Sequence, residues 1–262
     1  MTPDIATITP ILEEAGRTLL LPAFQQQSST HIKDDGSVVT QTDLACQHFL
    51  HERLTLLAHD IAFLGEEMPH DEQHQCLQSQ QSFWCVDPLD GTSNFATPMP
   101  MFAISVALIQ AGQPTLACIH DPIRQETFTA VRGQGCFFNG QRMRASSVSI
   151  LKHAVGFVDF KRLPADLATK FATQNIYRSQ RNLGSCALEW AWLAAGRAQF
   201  VIHGGEKLWD YAAGALLAEE SGCTITDFNF NPLFHQPALS SSILAAPPLI
   251  HQALQSHFNT GI

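Results

Sequence analysis

The strongest constraint on the fold is a buried strand that runs directly into two aspartates. Residues 83–86 are apolar and predict a strand that is covered on both faces. Asp87 and Asp90 follow with a proline between them, which stiffens the bend because its ring fixes φ. Gly91 then permits a tight turn, and Thr92 can cap a short helix. One segment thus combines carboxylates, which attract hard divalent cations, with helix-start N–H groups, which attract phosphate oxygens.

Other acidic residues have the same sequence context. Glu66 and Glu67 follow an apolar run and a glycine. Asp43 stands at a predicted helix start, and Asp210 begins another helix. A simple Asx turn or a helix cap would explain any one of these residues. Because strand-to-helix junctions gather at one edge of an α/β sheet, the four junctions together predict an acidic cluster that binds metal.

Composition and charge exclude several classes of protein. The 262 residues are 45% hydrophobic and 15% charged, which is typical of a globular protein with a large core. A net charge of −9 argues against general nucleic-acid binding, which needs a positive surface. The seven cysteines include no CxxC pair, so we expect free thiols in a reducing cytoplasm. Residues 1–21 lack the basic start of a signal peptide, and the apolar stretch 101–109 is too short to cross a membrane.

Hydrophobic periodicity predicts alternating helices and strands, and hence the α/β class. Helices are expected in residues 5–26, 44–58, 165–173, 184–195, 211–221 and 249–257. The polar segment 68–81, rich in His and Gln, is expected to be a loop. A soft boundary near residues 146–151 divides the chain into lobes of about 1–148 and 149–262.

Four segments resemble, in order and spacing, the signatures of the Mg²⁺-dependent, lithium-sensitive inositol monophosphatase family. They are residues 40–43 (TQTD), 65–67 (GEE), 87–92 (DPLDGT) and 209–214 (WDYAAG). The resemblance covers residues 5–257. It implies a single domain, 1–262, folded as an αβαβα sandwich. It also implies an enzyme that hydrolyses small phosphate monoesters with two or three Mg²⁺ ions, for which Mn²⁺ could substitute.

The metal ligands that the resemblance implies are four carboxylates and one backbone carbonyl: Glu66, Asp87, Leu89, Asp90 and Asp210. One ion would be held by Glu66, Asp87 and the Leu89 carbonyl. A second would be held by Asp87, Asp90 and Asp210, with Asp87 bridging. A third, weaker ion would lie near the two adjacent glutamates. Oxygen-only ligands favour Mg²⁺ or Mn²⁺ over zinc, and two cations about 4 Å apart can hold the attacking water and the leaving oxygen.

The resemblance also implies the catalytic residues. Thr92, oriented by Asp43, would activate the attacking water, and Glu67 would be a further catalytic residue. The amides of Gly91 and Thr92 would bind the phosphate.

The substrate side resembles the family less closely. The residues that would contact substrate are Gly91, Thr92, Ser185, Ala187, His203 and Asp210. Inositol-preferring members carry a glutamate where this chain has His203, which puts inositol itself in doubt. The loop 33–37 looks more like histidinol-phosphatase-like members. Inositol, histidinol, sugar and polyol phosphates therefore stay open, and a 3′(2′),5′-bisphosphate nucleotidase is the rival within the class.

The expected partners are a small-molecule phosphate ester and a second copy of the chain, with no membrane and no general nucleic-acid binding. Family members are commonly homodimers, and Trp190, Trp192 and Phe200 supply more apolar surface than one helix face needs. A non-enzymatic regulatory protein, which would use the same fold to bind a partner, is the alternative from another functional class. The complete set of carboxylates favours the enzyme.

One histidine pair offers a different metal site. His48 and His51 are three residues apart on a predicted helix, with Glu52 beside them. A zinc pair is conceivable, but an exposed helix face is the expected role because HExxH is absent.

Overall fold

A computed structural model describes residues 3–26, 30–32, 38–79 and 81–258. The loop 33–37, which we compared with histidinol-phosphatase-like proteins, lies outside these ranges. Within them the α-helices are α1 (Ile5–Ala15), α2 (Leu21–Gln26), α3 (Gln41–Leu57), α4 (His70–Gln78), α5 (Thr92–Ala96), α6 (Ala165–Thr173), α7 (Cys186–Ala194), α8 (Leu208–Ser221) and α9 (Pro248–Phe258). The strands are β1 (Thr30–Ile32), β2 (Val38–Thr40), β3 (Ala62–Gly65), β4 (Phe83–Asp90), β5 (Ala103–Gln110), β6 (Gln113–Asp121), β7 (Glu126–Val131), β8 (Gly135–Phe138), β9 (Gln141–Arg142), β10 (Val155–Asp159), β11 (Ser179–Arg181), β12 (Val201–Lys207), β13 (Thr224–Thr226) and β14 (Ser240–Ala246).

The strands form two large sheets and one hairpin. The first sheet has seven strands in the order β3-β4-β5-β6-β7-β8-β9, where β3 and β4 are parallel and the others pair antiparallel. The second has five strands in the order β11-β10-β12-β14-β13. In it β10 runs parallel to β11 and β12, and β14 runs antiparallel to β12. Strands β1 and β2 pair with each other.

Alternating side chains of the first sheet enter two different apolar cores. In β4, Trp84 and Val86 join the side chains of α1 and α3, whereas Phe83 and Cys85 join those of α7 and α8. This alternation is expected for a strand buried on both faces. A third core lies between the second sheet and helices α6 and α9. The layers are therefore helix, sheet, helix, sheet and helix, and the predicted αβαβα sandwich of the α/β class is confirmed.

Close packing of α7 against α8 brings the starts of these helices together. Gly214 of α8 lies against Trp190 of α7, where an added Cβ would approach Trp190 Cβ to 2.3 Å. Only glycine permits this approach, because any larger side chain would overlap the indole. The first turns of both helices consequently reach the end of β4, where Asp90 lies.

Helix α4 corrects the prediction that residues 68–81 form a loop. Its first turn carries Asp71 and Glu72, which stabilise a helix start. Its one buried residue is Gln73, so the segment lacks the apolar stripe from which a helix is predicted. The side chain of Gln73 donates to backbone oxygens of Gly65 and Glu66, at the end of the preceding strand β3.

The aromatic residues on which the prediction of a homodimer rested are mostly part of the core of a single chain. Trp190 and Phe200 are fully buried. The ring of Trp192 is covered by the guanidinium groups of Arg124 and Arg197, at 5.6 and 5.3 Å from its centroid. These side chains therefore provide no argument for a surface that binds a second copy.

Candidate active site

The end of β4 carries Asp87 and Asp90 on a bent backbone. All eight residues of β4 are buried, and its pairing with β5 shifts register between the two aspartates. Oδ1 of Asp87 accepts a 3.0 Å hydrogen bond from the amide of Leu89. Gly91 follows with a left-handed φ of 93°, and a Cβ there would lie 2.8 Å from the Met101 carbonyl oxygen. Glycine is therefore required for the turn into α5.

Three carboxylates meet at this turn. Oxygen atoms of Asp87, Asp90 and Asp210 lie within 4.8 Å of one another. Burial and neighbouring negative charges raise the pKa of Asp87 and of Asp210 well above their usual range. Buried like charges are stabilised by a cation, and an all-oxygen donor set fits Mg²⁺ or Mn²⁺.

Glu66 and Glu67 extend the cluster from the end of β3. Glu66 lines the same cavity as Asp87, and its charge contributes to the raised pKa of Asp87. Nε2 of Gln73 donates to the backbone oxygen of Glu66 at 3.0 Å and to that of the preceding glycine at 2.9 Å. Oε1 of Gln47 accepts a 2.9 Å hydrogen bond from the amide of Glu67. Two glutamine side chains thus fix the backbone that carries both glutamates, and the sequence prediction missed them.

Asp43 and Thr92 form a hydrogen-bonded pair. Oγ1 of Thr92 lies 3.0 Å from Oδ1 of Asp43 and 3.1 Å from the carbonyl oxygen of Leu89. Asp43 is fully buried, and its Oδ2 accepts from the hydroxyl and from the amide of Thr40, the latter at 2.8 Å. Burial raises the pKa of Asp43, and these hydrogen bonds partly offset that rise. A Thr92 hydroxyl that donates a hydrogen bond to Asp43 keeps lone pairs that can accept a hydrogen bond from water.

The predicted substrate residues Ser185 and Ala187 contact Asp90. Oδ2 of Asp90 accepts from the hydroxyl of Ser185 and from the amide of Ala187, the latter at 2.9 Å. Oδ1 accepts a 3.1 Å hydrogen bond from the amide of Cys186. Donors at the start of α7 therefore orient Asp90 and stabilise its charged form. Contact of Ser185 and Ala187 with substrate stays a prediction.

His203 lies at the wall of the site, but its ring nitrogens face protein groups. The residue is 3% exposed, and Nδ1 accepts a 3.1 Å hydrogen bond from the amide of Gly205. Because a backbone N–H only donates, the neutral ring carries its proton on Nε2. Nε2 lies 3.2 Å from Oδ2 of Asp159, at an angle outside hydrogen-bond geometry. The ring has no acceptor nitrogen left for a substrate hydroxyl, so its predicted substrate role would depend on ring contact alone.

A second group of potential metal ligands lies beside the first. Cys186, His203 and Glu206 each offer a ligand atom within 4.8 Å of the others, a donor set that would suit zinc. However, Nδ1 of His203 is occupied by a backbone amide and Nε2 carries the proton. Oε2 of Glu206 already accepts a 2.7 Å hydrogen bond from Nε1 of Trp190. We therefore assign the candidate metal centre to the aspartate cluster.

The histidine pair on α3 does not form a site. His48 lies 3.4 Å from Glu52 on an exposed helix face. The ring of His51 packs against Phe63 with centroids 4.7 Å apart. The exposed-face interpretation of this helix agrees with both contacts.

A cavity of about 370 Å³ connects the aspartate cluster with the surrounding walls. The predicted site residues that line it are Glu66, Asp87, Leu89, Asp90, Gly91, Thr92, Ser185, His203 and Asp210. It is also lined by Asp159, Lys161 and Arg162, which the sequence prediction missed. Asp159 ends an apolar strand, the same signal that identified the other aspartates. A larger cavity of about 690 Å³ lies between α1, β6 and β7, but its lining contains a single carboxylate, Glu13.

Comparisons with known proteins agree with this fold. The model of the family described as "Inositol monophosphatase family" matches residues 4–261. A Xylella fastidiosa protein named Nus factor SuhB is 32% identical over 233 residues, which are 86% of this chain and 82% of that protein. A Thermotoga maritima protein named fructose-1,6-bisphosphatase/inositol-1-monophosphatase is 32% identical over 231 residues, again 86% and 82% of the two chains. The crystal structure of extragenic suppressor protein suhB from Bartonella henselae has a TM-score of 0.85 at 29% identity, and covers 98% of this chain and 99% of that one.

The names of these relatives correct the prediction of partners. A phosphate ester and a second copy of the chain were expected, without general nucleic-acid binding. The X. fastidiosa relative is named a Nus factor and not a phosphatase, and this finding contradicts the predicted set. The charge argument concerned only unspecific attraction to a phosphate backbone, and it could not exclude a partner that a local surface recognises. As for membranes, no helix in the described part of the chain is long and apolar enough to cross one.

Proposed function

Because this chain belongs to the inositol monophosphatase family, we propose that it is a metal-dependent phosphatase that hydrolyses small phosphate monoesters. One observation carries the proposal. Oxygens of Asp87, Asp90 and Asp210 converge within 4.8 Å in the cavity that Thr92 also lines, and Thr92 is hydrogen-bonded to Asp43. This arrangement combines a cation site with a hydroxyl that can orient a water.

The carboxylates would hold two divalent cations, Mg²⁺ or Mn²⁺. Glu66, Asp87 and the Leu89 carbonyl would bind one, and Asp87, Asp90 and Asp210 the other. Such cations polarise water and neutralise phosphate charge. Ser185 and the amides at the start of α7 would keep Asp90 oriented toward them.

Thr92 would orient the attacking water. Its hydroxyl donates to Asp43, so its oxygen can accept a hydrogen bond from the water. The water oxygen forms a bond to phosphorus, the ester P–O bond breaks, and the proton released by the water ends on the leaving alcohol. The charge of Glu67 adds to the raised pKa of Asp43, and Glu67 is proposed as a further catalytic residue. The amides of Gly91 and Thr92 are proposed to bind the phosphate oxygens.

Phosphate release from a panel of esters tests this proposal. The panel contains inositol 1-phosphate, histidinol phosphate, fructose 1,6-bisphosphate and adenosine 3′,5′-bisphosphate, each with Mg²⁺ and with EDTA. We expect turnover of at least one ester with Mg²⁺ and its loss in EDTA, restored by excess Mg²⁺ or in part by Mn²⁺. Undiminished turnover in EDTA, or no turnover of any ester with Mg²⁺, would contradict the proposal.

A regulatory binding role is the second candidate, and the name of the X. fastidiosa relative favours it. The two candidates differ in how they depend on the aspartates. A variant with Asp87→Asn and Asp90→Asn would lose hydrolysis in the first case. In the second case, the wild-type protein would bind Mg²⁺ in calorimetry but release no phosphate. The double variant would then retain the cellular role of the wild-type protein.

Two further expectations are proposed for the whole chain. Residues 1–262 form a single domain whose lobes are about 1–148 and 149–262, because α7 and α8 pack in one core with side chains of both sheets. A cytoplasmic location is supported by seven cysteines that are all free thiols.

A further inference from the structure

We propose that Arg162 forms an anion-binding subsite in the wall of the cavity, so that the substrate carries a second anionic group besides the phosphate that is removed. That group would be a carboxylate or a second phosphate. The inference rests on the proposed phosphatase function and specifies its substrate class. It follows from the position of Arg162 beside the aspartate cluster, from its unused donors and from the way it is held.

The guanidinium of Arg162 has donors to spare. Its side chain is 55% exposed and lines the same cavity as Asp87, Asp90 and Asp210. A guanidinium has five N–H groups. One of them, on Nη1, donates to Oδ2 of Asp159, and in the described ranges no other residue accepts from this side chain. Four N–H groups therefore remain in a planar arrangement that matches a carboxylate or a phosphate.

The backbone of Arg162 is fixed against β12. An added Cβ at Gly204 would lie 1.8 Å from the carbonyl oxygen of Arg162, so the two segments touch without room for a side chain. The amide of Arg162 also donates to the backbone oxygen of Asp159 at 3.3 Å, which closes a tight turn after β10. The backbone from which the Arg162 side chain extends is therefore fixed beside the cavity.

Asp159 holds the side chain of Arg162 in turn. Oδ1 of Asp159 accepts a 2.9 Å hydrogen bond from the amide of Lys161, and Oδ2 faces both Arg162 and Nε2 of His203. Burial would raise the pKa of Asp159, but its contacts with His203 and Arg162 hold the pKa well below its usual range. The carboxylate therefore stays ionised and keeps the guanidinium oriented. The contact of Asp159 with Arg162 therefore lies beside His203 of β12, whose Nε2 is 3.2 Å from the same carboxylate oxygen.

Charge at the cavity points to an anion and not to a neutral polyol. Lys161 and Arg162 are the two cationic side chains in its lining, and the other charged groups there are carboxylates. Among the side chains of the lining, the carboxylates would repel a second anion on the substrate, and the side chains at this wall would attract it. A neutral hydroxyl would gain less from a guanidinium than a charged oxygen does.

A pair of esters that differ in one anionic group tests the inference. In 2-phosphoglycerate a carboxylate replaces one CH₂OH group of glycerol 2-phosphate, and both release inorganic phosphate. We expect wild type with Mg²⁺ to have a kcat/KM about tenfold or more higher for 2-phosphoglycerate. Arg162→Gln should bring this ratio near one, mainly by raising KM for 2-phosphoglycerate, and Arg162→Lys should retain part of the preference. Fructose 1,6-bisphosphate against fructose 1-phosphate gives the same comparison for a second phosphate.

The control is Arg178→Gln, which removes an equal charge from an exposed arginine outside the cavity lining and should keep the wild-type ratios. Thermal unfolding verifies that each variant is folded. If Arg162→Gln does not fold, Arg162→Lys still tests the inference. The inference would be overturned by kcat/KM ratios near one in wild type for both pairs of esters, or by ratios that are unchanged in Arg162→Gln. Hydrolysis of glycerol 2-phosphate would still support the proposed phosphatase in either case. Absence of turnover for all four esters would overturn both.

Discussion

Oγ1 of Thr92 donates a 3.0 Å hydrogen bond to Oδ1 of Asp43, which ties the helix after β4 to the helix before β3. The contact aligns a hydroxyl at the cavity with a carboxylate that is fully buried behind it. Asp43 is held from its other side by the amide and hydroxyl of Thr40, as part of the capping box of α3. The same residues thus stabilise a helix start and orient a hydroxyl that lines the cavity.

Removal of the Thr92 hydroxyl should reduce turnover without unfolding the chain. Thr92→Val keeps the shape of the side chain, and we expect kcat to fall about 10²-fold because the water loses its acceptor. Thr92→Ser retains the hydroxyl and should retain most activity. Steady-state kinetics with the best ester from the panel, together with thermal unfolding, would measure both effects. Equal kcat in Thr92→Val and Thr92→Ser would exclude the hydroxyl from the reaction.

Asp90→Asn should impair the binding of cations. The substitution removes a charged ligand, and it places an NH₂ group against the donors of Ser185 and the α7 amides. We expect kcat/KM to fall at least about 10²-fold. Mg²⁺ raises Tm by binding the native state, and this rise should be smaller in the variant. Calorimetric titration with Mg²⁺ measures the binding directly. Asp166→Asn, in the exposed first turn of α6, is the matched control and should behave as wild type.

Gln73 should be required for stability and for the Mg²⁺ response. Its Nε2 donates to two backbone oxygens at the end of β3, so Gln73→Met removes two hydrogen bonds from a buried donor. We expect a loss of about 1–3 kcal/mol in the free energy of unfolding and a higher Mg²⁺ concentration for half-maximal activity. Urea unfolding and a Mg²⁺ titration measure these effects. Gln75→Met, at an exposed position of the same helix, should change neither quantity; identical behaviour of the two variants would show that Gln73 does not support Glu66.

The residues that could be predicted from the sequence are those whose signal is local. Asp87, Asp90 and Asp210 follow or begin regular elements, and the left-handed Gly222 that ends α8 is visible as a glycine after an apolar run. The layered αβαβα fold followed from four short segments that resemble the signatures of the inositol monophosphatase family. Each of these inferences needed only a few neighbouring residues.

The residues that were missed act through contacts outside their own helix or strand. Gln73 lies in a helix with no apolar stripe, so nothing in its own sequence shows that it is buried. The bond from the Ser185 hydroxyl to Asp90, which is 95 positions away, was not predicted either. Arg162 gains its position from the close approach to Gly204, which only the packing of β10 against β12 creates. Sequence periodicity carries no information on which polar side chain such packing selects.

Glu206 is a buried carboxylate that should make stability depend on pH. It is 1% exposed, and burial raises its pKa from 4.5 to about 8, with the charges of Asp90 and Asp159 adding to the rise. The folded protein therefore keeps this proton at pH values where the unfolded chain has lost it. It follows that the stability Glu206 confers is fully present below pH 4.5 and is lost as the pH rises through about 8.

Glu206→Gln should flatten this profile, because glutamine still accepts the hydrogen bond from Trp190 but does not titrate. We expect the variant to match wild type near pH 4.5 and to exceed it by about 1–4 kcal/mol near pH 8.5. Urea unfolding between these pH values, in EDTA so that cations do not mask the aspartates, measures the difference. Glu52→Gln, on the exposed face of α3, should leave the profile of wild type unchanged. If Glu206→Gln retains the full decline in stability, other carboxylates of the cluster cause it and the proton of Glu206 does not.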